Sequence, residues 1–304
     1  MPEIICLGEP LFELSQQDDG RYLAGFGGDT SNCAISAARQ GASVGYVTRV
    51  GDDPFGQQFL DLWHQENIDT SAVCVQANAD TGVYFIAHGP DGHQFSYRRA
   101  GSAASQISRN DLPQRMISDA RILHVSGISQ AISETAADTV FEAIRMARDG
   151  GTLVSYDTNL RTQLWSLDRA RAITHAAMSL CDIALPGLDD ARLLTGMSAP
   201  DDIVDFYLHL GASLVALTLG SAGTLVATSK AREHVPAYDV SAIDATGAGD
   251  TFDGAFLAQY LRDPDPVAAT RYANAAAALS TQHYGAVASM PKRETVLQFL
   301  GEPR

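Results

Sequence analysis

Arg121-Ile-Leu-His-Val-Ser126, then Ser133 through Arg148, then Thr152-Leu-Val-Ser-Tyr-Asp157 form the reading that decides the fold. The outer two segments are short apolar runs, the pattern of buried strands. The middle one is amphipathic at helical spacing. Ser133 supplies a hydroxyl to cap its first turn, and Gly150-Gly151 stops its last. Strand, helix and strand in succession predict two parallel strands joined by a helix over one face.

The same alternation extends in both directions. Ile4–Gly8, Ser43–Arg49, Asp182–Leu185 and Ser213–Leu219 read as further buried strands. Thr30–Gln40, Pro54–Glu66 and Asp168–Leu180 read as helices between them, with start and stop residues in place. The predicted class is therefore α/β: a mostly parallel central sheet with helices on both faces. Thr81–His88 and Gln94–Arg99 break the rhythm as strand-like runs joined by Gly89-Pro90-Asp91-Gly92, a hairpin signal. No linker or internal repeat interrupts the chain. Residues 1–304 are expected to form one domain, with a small β lid made mainly from about 10–26 and 81–99.

The 304 residues are 45% hydrophobic and 19% charged, enough to bury a sizeable core. The net charge of −15 repels nucleic acid and anionic membranes, so neither is expected as a partner. No window approaches the roughly 18 consecutive apolar residues of a membrane span. MPEIICLGEP lacks the basic start and cleavage site of a signal peptide. The four cysteines are scattered without a C-x-x-C pair, and Cys6 reads as a buried reduced thiol. A cytoplasmic protein is expected.

The strongest chemical signal is Asp244-Ala-Thr-Gly-Ala-Gly-Asp250-Thr-Phe. Small residues ahead of the apolar helical run Thr251–Tyr260 allow a tight turn that aims several N–H groups at one anion. Asp250 stands at the same helix start, where the dipole favours its ionised form. An ionised Asp beside a phosphate cradle suits phosphoryl transfer, orienting and finally deprotonating the attacking hydroxyl. By itself the motif is equally a Gly-rich helix entry with a capping Asp.

Together with Gly25-Phe-Gly-Gly-Asp-Thr-Ser-Asn32 and Gly45–Gly56, this motif resembles the signatures of the PfkB, ribokinase-like carbohydrate kinases, in order and along nearly the whole chain. The resemblance implies a ribokinase-like fold, ATP and Mg2+, and leaves a monovalent cation open. It makes Asp250 the catalytic base and the backbone of Gly247, Ala248 and Gly249 the anion hole. Gly27, Gly28 and Asn32 would contact the sugar, since glycines admit the ligand to the backbone and an amide both donates and accepts. Thr218-Leu-Gly220-Ser221-Ala-Gly223 resembles the nucleotide-side loop, with Asn274 near the adenine; alone, the loop reads as an ordinary strand-to-strand turn. Where the family often has Asn-x-x-Glu, this chain has Gly187 and Asp190. Asp190 would then hold magnesium through water, although Asp189-Asp190 also suits a helix N-terminus.

Phe95-Ser-Tyr97-Arg98-Arg99, Leu62-Trp-His-Gln-Glu-Asn-Ile-Asp-Thr70 and Asp157-Thr-Asn-Leu-Arg161-Thr-Gln-Leu-Trp165 resemble segments of the 2-keto-3-deoxygluconate kinases within that family. Neutral sugars need no cation, whereas a carboxylate is gripped well by a planar guanidinium. Arg99 and Arg161 are expected to hold the carboxylate of a sugar acid, with Tyr97 and Tyr84 on its oxygens. Each arginine alone also reads as an ordinary residue, Arg161 paired with a neighbouring Asp and Arg99 solvated on the lid. Glu13 would repel such a substrate unless turned away. Fructokinase is the second reading, with ribokinase, nucleoside kinase and a non-catalytic sugar binder behind it. The first strand is followed by Gly8-Glu9-Pro10-Leu11 rather than G-x-G-x-x-G, which excludes a nicotinamide-dependent oxidoreductase. There is no Walker A motif and no H-x-x-x-H pair, so a P-loop kinase and a zinc hydrolase are excluded as well. A bare lid would expose strand edges, which makes a homodimer through the lid the expected assembly.

Overall fold

The structure is a computed structural model that describes residues 1–17, 19–89 and 92–302. Among these residues, β1 (Ile4–Leu7), β4 (Val44–Gly51), β5 (Val73–Gln76), β8 (Ile122–Ser126), β9 (Leu153–Asp157), β10 (Ile183–Leu185), β11 (Leu214–Thr218), β12 (Thr224–Thr228) and β13 (Arg232–Val235) make one sheet. Its order is β13-β12-β11-β10-β9-β8-β1-β4-β5. The strands from β5 to β11 run parallel, and β12 and β13 close one edge as antiparallel strands. All six sheet strands and all five helical runs read from the sequence are present, with ends shifted by a few residues at most; β5, β12 and β13 carry no comparable signal.

Period-two alternation explains the layering. In β1, Ile4 and Cys6 point into one apolar core and Ile5 and Leu7 into the other. The first core is roofed by the helices Asp29–Arg39, Ala248–Arg262 and Pro266–Ser280; the second includes Glu134–Gly150 and Pro200–Leu210. Helix caps match the sequence: Ser133 accepts from Ala136 N, and Gly151 ends that helix in the left-handed region. Cys6, Cys33 and Cys181 are buried free thiols, and Cys74 is an exposed one.

A second sheet stands apart. It contains β2 (Leu11–Gln16), β3 (Tyr22–Gly27), β6 (Gly82–Gly89) and β7 (Gly92–Arg98), in the order β3-β2-β6-β7. This is the expected lid, and β6 and β7 pair antiparallel as a hairpin. The turn read at Pro90-Asp91 lies outside the described residues.

Candidate active site

Strand order reverses beside β1, since β4 flanks it on one side and β8 on the other. In open α/β sheets the crevice outside the carboxyl ends at such a point takes the ligand. Here a cavity of about 650 Å³ occupies that place. Its walls come from chain at or just past the strand ends: Glu9 after β1, Ile128 after β8, Asp157, Asn159, Leu160 and Arg161 at β9, Gly187 after β10 and Thr218 at β11. The lid adds Gly27, Tyr84, Tyr97 and Arg99, and the helix Ala248–Arg262 adds Gly249, Asp250 and Asp253.

The loop ahead of that helix is shaped by Asp244. Its Oδ1 accepts from Thr246 N at 2.9 Å and Thr246 Oγ1 at 2.6 Å, and Oδ2 accepts from Gly285 N at 2.9 Å. Gly247 caps the helix at φ +73°, and a Cβ there would stand 2.8 Å from the Ala286 Cβ. Ala248 N closes the turn onto Ala245 O at 3.1 Å, which takes it out of the expected anion hole. The N–H groups of Gly247 and Gly249 have no backbone partner among the described residues, at the positive end of the helix.

Asp250 is held from across the molecule. Helices Asp29–Arg39 and Ala248–Arg262 pack closely because Gly254 has no side chain; a Cβ there would meet Cys33 O at 2.4 Å. Asn32 can therefore reach over and donate from Nδ2 to Asp250 Oδ2 at 2.7 Å. Asn32 is buried, and its Oδ1 has no hydrogen-bond partner among the described residues. Asp250 meets water in the cavity yet is enclosed by protein. That burial, with repulsion from Asp29, outweighs the Asn32 bond and the Arg161 charge and pushes its pKa up to about 7. The sequence predicts an ionised carboxylate from the helix dipole; burial proves the larger effect.

The two arginines part company. Arg99 Nη2 is paired with Glu9 Oε2, and the Arg99 side chain is 9% exposed and that of Glu9 0%. Ser102 Oγ donates to Glu9 Oε1 at 3.0 Å, and burial still holds the Glu9 carboxyl above its ordinary range. Arg99 is thus neutralised inside the wall, a correction to its expected role as a free carboxylate ligand. Arg161 is exposed to the cavity, forms no ion pair among the described residues, and donates from Nη1 to Leu160 O at 2.9 Å. Tyr84 donates its hydroxyl to Glu13, and Tyr84 lines the cavity whereas Glu13 does not. Tyr97 stacks on that ring at 5.8 Å.

On the other side, Thr218 and Asp190 line the cavity, and Asp190 Oδ2 accepts from Leu160 N at 2.8 Å. Gly220, Ser221 and Gly223 form the short turn between β11 and β12 and lie off the cavity wall. Asn274 needs a correction. Its Oδ1 accepts from Thr224 Oγ1 at 2.8 Å, and its Nδ2 donates to Val235 O and Pro236 O at 3.1 and 3.2 Å. With both ends of the amide spent, it fastens the helix Pro266–Ser280 to β12 and β13 rather than facing a ligand.

Eight polar residues of the wall have no role assigned from the sequence: the carboxylates Glu9, Asp29, Asp157 and Asp253, with Asn159, Thr162, Gln163 and Thr246. All are close in sequence to quoted motifs, and Asp253 sits one helical turn after Asp250. Burial and neighbouring carboxylates raise the pKa values of Asp157 and Asp253 well above the ordinary range. The wall thus carries six carboxylates, namely these four together with Asp190 and Asp250, against Arg99 and Arg161.

A carboxylate hydrogen-bonded to an amide, N–H groups at a helix start and a four-stranded lid sheet together suit phosphotransfer. The chain matches the pfkB family carbohydrate kinase model over residues 1–293, and it belongs to that family of carbohydrate kinases. It is 34% identical over 290 residues to the 2-dehydro-3-deoxygluconokinase of Thermoproteus tenax, covering 92% of this chain and 88% of that one. It is 32% identical over 307 residues to probable fructokinase-5 of Arabidopsis thaliana, covering 95% and 94%. Its fold superposes on a fructokinase with bound ATP from Xylella fastidiosa with a TM-score of 0.90 at 26% identity, over 99% of this chain and 100% of that one.

Proposed function

We propose that this carbohydrate kinase transfers the γ-phosphoryl group of ATP to a terminal hydroxyl of a sugar acid, 2-keto-3-deoxygluconate. The observation that carries this reading is Arg161, a guanidinium in the cavity without an ion-pair partner among the described residues. A bound carboxylate would supply that partner through two parallel hydrogen bonds. The similarity to a 2-dehydro-3-deoxygluconokinase, the same activity under another name, supports it.

The residues divide the work. Asn32 holds Asp250 Oδ2, leaving Oδ1 for the sugar hydroxyl, and its own unpaired Oδ1 is placed to accept a hydrogen bond from the ligand. The hydroxyl oxygen attacks the γ-phosphorus and its proton passes to Asp250. The bond from that phosphorus to the bridging oxygen breaks, and ADP leaves with the electron pair. The free N–H groups of Gly247 and Gly249 stabilise charge on the transferring group. Lid strands β2, β3, β6 and β7 exclude water above the sugar, which limits wasted ATP hydrolysis.

The acidic wall fits a divalent cation. Among the described residues no three ligand side chains converge on one point, so magnesium would keep much of its water. Asp157 and Asp190 would hold it through water, and when bound it neutralises phosphate charge. The end of lid strand β3 shows Leu23 at 61% and Tyr22 at 47% exposure, one on each face of the sheet, and a second copy of the chain would cover them in a homodimer. Light scattering of the wild type against Leu23→Glu tests that assembly.

One observation favours a second reading. Glu9 cancels Arg99, and a wall otherwise rich in carboxylates suits a neutral sugar such as fructose. ADP release with magnesium-ATP against 2-keto-3-deoxygluconate, fructose, ribose and adenosine decides between them. Selective turnover of fructose would remove the sugar-acid reading and leave the base and the N–H cradle in place.

A further inference from the structure

We infer that Asn159 is a positioning residue that fixes the distance between Arg161 and the base Asp250. The inference rests on the reading of Arg161 as the carboxylate ligand and extends it to the length of the substrate.

β9 ends at Asp157, and the chain must turn sharply to bring Arg161 into the cavity. The turn falls on Asn159, whose φ is +25°. Among the described residues only Asn67 shares a positive φ without being glycine. A side-chain-bearing residue holds such a torsion only when its surroundings over-determine it.

Three carboxylates on three elements supply that determination. Asn159 N donates to Asp157 Oδ1 at 3.1 Å, Asn159 Nδ2 donates to Asp29 Oδ2 at 3.0 Å, and Leu160 N donates to Asp190 Oδ2 at 2.8 Å. Thr158 and Leu160 are buried on either side, Leu160 in a cluster with Trp165. The backbone under Arg161 is therefore fixed while its side chain is exposed.

The tether made by a side chain of the turn itself leads to Asp29. Asp29 opens the helix Asp29–Arg39, and its Oδ1 accepts from Thr30 N at 2.8 Å. The same helix start carries Asn32, which holds Asp250. One rigid turn thus fastens the cation through Asn159 and the base through Asn32. A substrate gripped by its carboxylate at one end and phosphorylated at the other must match that span.

A double-mutant cycle on the full-length enzyme tests this, with KM for 2-keto-3-deoxygluconate and for ATP read separately. Asn159→Ala and Asn159→Gly are each expected to raise the sugar-acid KM about tenfold and to change the ATP KM by less than about twofold. The Asn159→Ala/Arg161→Ala pair is expected to be no weaker than Arg161→Ala alone, because both act on one contact. Glycine accepts the left-handed torsion, so this variant folds even if alanine does not. Normal sugar-acid KM in Asn159→Gly would mean that only the torsion matters and would overturn the tether. Additive losses in the pair would overturn the positioning role while leaving Arg161 as the ligand. An Arg161→Ala enzyme with unchanged sugar-acid KM would overturn both.

Discussion

Asn32 and Asp250 lie 218 positions apart in the chain and meet through one hydrogen bond, Nδ2 to Oδ2, at 2.7 Å. The bond favours the ionised carboxylate, while burial and Asp29 oppose it, and the balance leaves a pKa of about 7. The base is therefore half-protonated near neutrality. Below about pH 7, kcat/KM should fall toward tenfold per unit as Asp250 gains its proton. Asn32→Ala removes a stabilising contact to the charged form, so this acid limb should move to higher pH. A limb that stays in place in the variant would detach Asn32 from the base.

Asp250→Asn should cost several orders of magnitude in turnover and bind ATP and sugar nearly as the wild type does. The same substitution should alter stability in a pH-dependent way. The folded pKa lies above the ordinary 3.8, so folding is unhindered by this group below about pH 4. Its contribution is lost as the pH rises through about 7, because the charged form is the costly one inside the protein. Against the wild type, the amide variant should gain up to about 4 kcal/mol at pH 8 and nothing near pH 4. Thermal melts at the two pH values check this, and an equal shift at both would contradict the raised pKa.

The two cradle glycines should respond differently to alanine. At Gly247 the new Cβ needs φ +73° and meets Ala286 at 2.8 Å, so both stability and turnover should drop, stability by about 1–3 kcal/mol. At Gly249 nothing in the protein lies within 4 Å of the added Cβ, and the residue is helical. Gly249→Ala should melt at or slightly above the wild-type temperature while turnover falls, because the methyl stands where the phosphoryl group approaches. Unimpaired turnover would place the transferring group elsewhere.

The buried pair of Arg99 and Glu9 can be opened by Glu9→Gln. Arg99 then keeps its place with an uncompensated charge, at a stability cost of about 3–5 kcal/mol. The ratio of kcat/KM for 2-keto-3-deoxygluconate over fructose should rise about tenfold as the wall gains positive charge. An unchanged ratio would show that Arg99 does not sense the substrate.

Asn274→Ala should lower stability by about 1–3 kcal/mol, since Thr224 and the carbonyls of Val235 and Pro236 lose their partner. The KM for ATP should stay within about twofold of the wild-type value. A large rise confined to the ATP KM would restore Asn274 to the nucleotide site.

Why some of this was legible in the sequence and some was not follows from the range of the interactions. The strand–helix alternation, the Ser133 cap and the Gly247 turn are local, so short windows reveal them. Residues at strand ends, such as Thr218 and Asp190, fall in the cavity because the parallel topology puts every such end on one rim. Pairings across the chain leave no local trace. Nothing near Arg99 announces that Glu9 neutralises it, since the two are 90 positions apart. Tyr84 finds Glu13 only once β2 and β6 lie side by side, and Asn274 finds Thr224 only after the last long helices dock. The pKa of Asp250 was misjudged for the same reason: the dipole is local, but the burial and the Asp29 charge that outweigh it come from distant chain.

β1 precedes its sheet neighbours in the chain, and it ends up inside the large sheet between β4 and β8. One of its edges can pair once β4 has formed, the other stays open until residue 126 of β8 has left the ribosome, and the face carrying Ile4 and Cys6 waits longer still for the helix Ala248–Arg262. The growing chain therefore carries an adhesive, uncovered apolar face through most of its translation. Productive folding must be largely post-translational, and any fragment lacking the last fifth of the sequence should be a client for chaperones rather than a smaller enzyme.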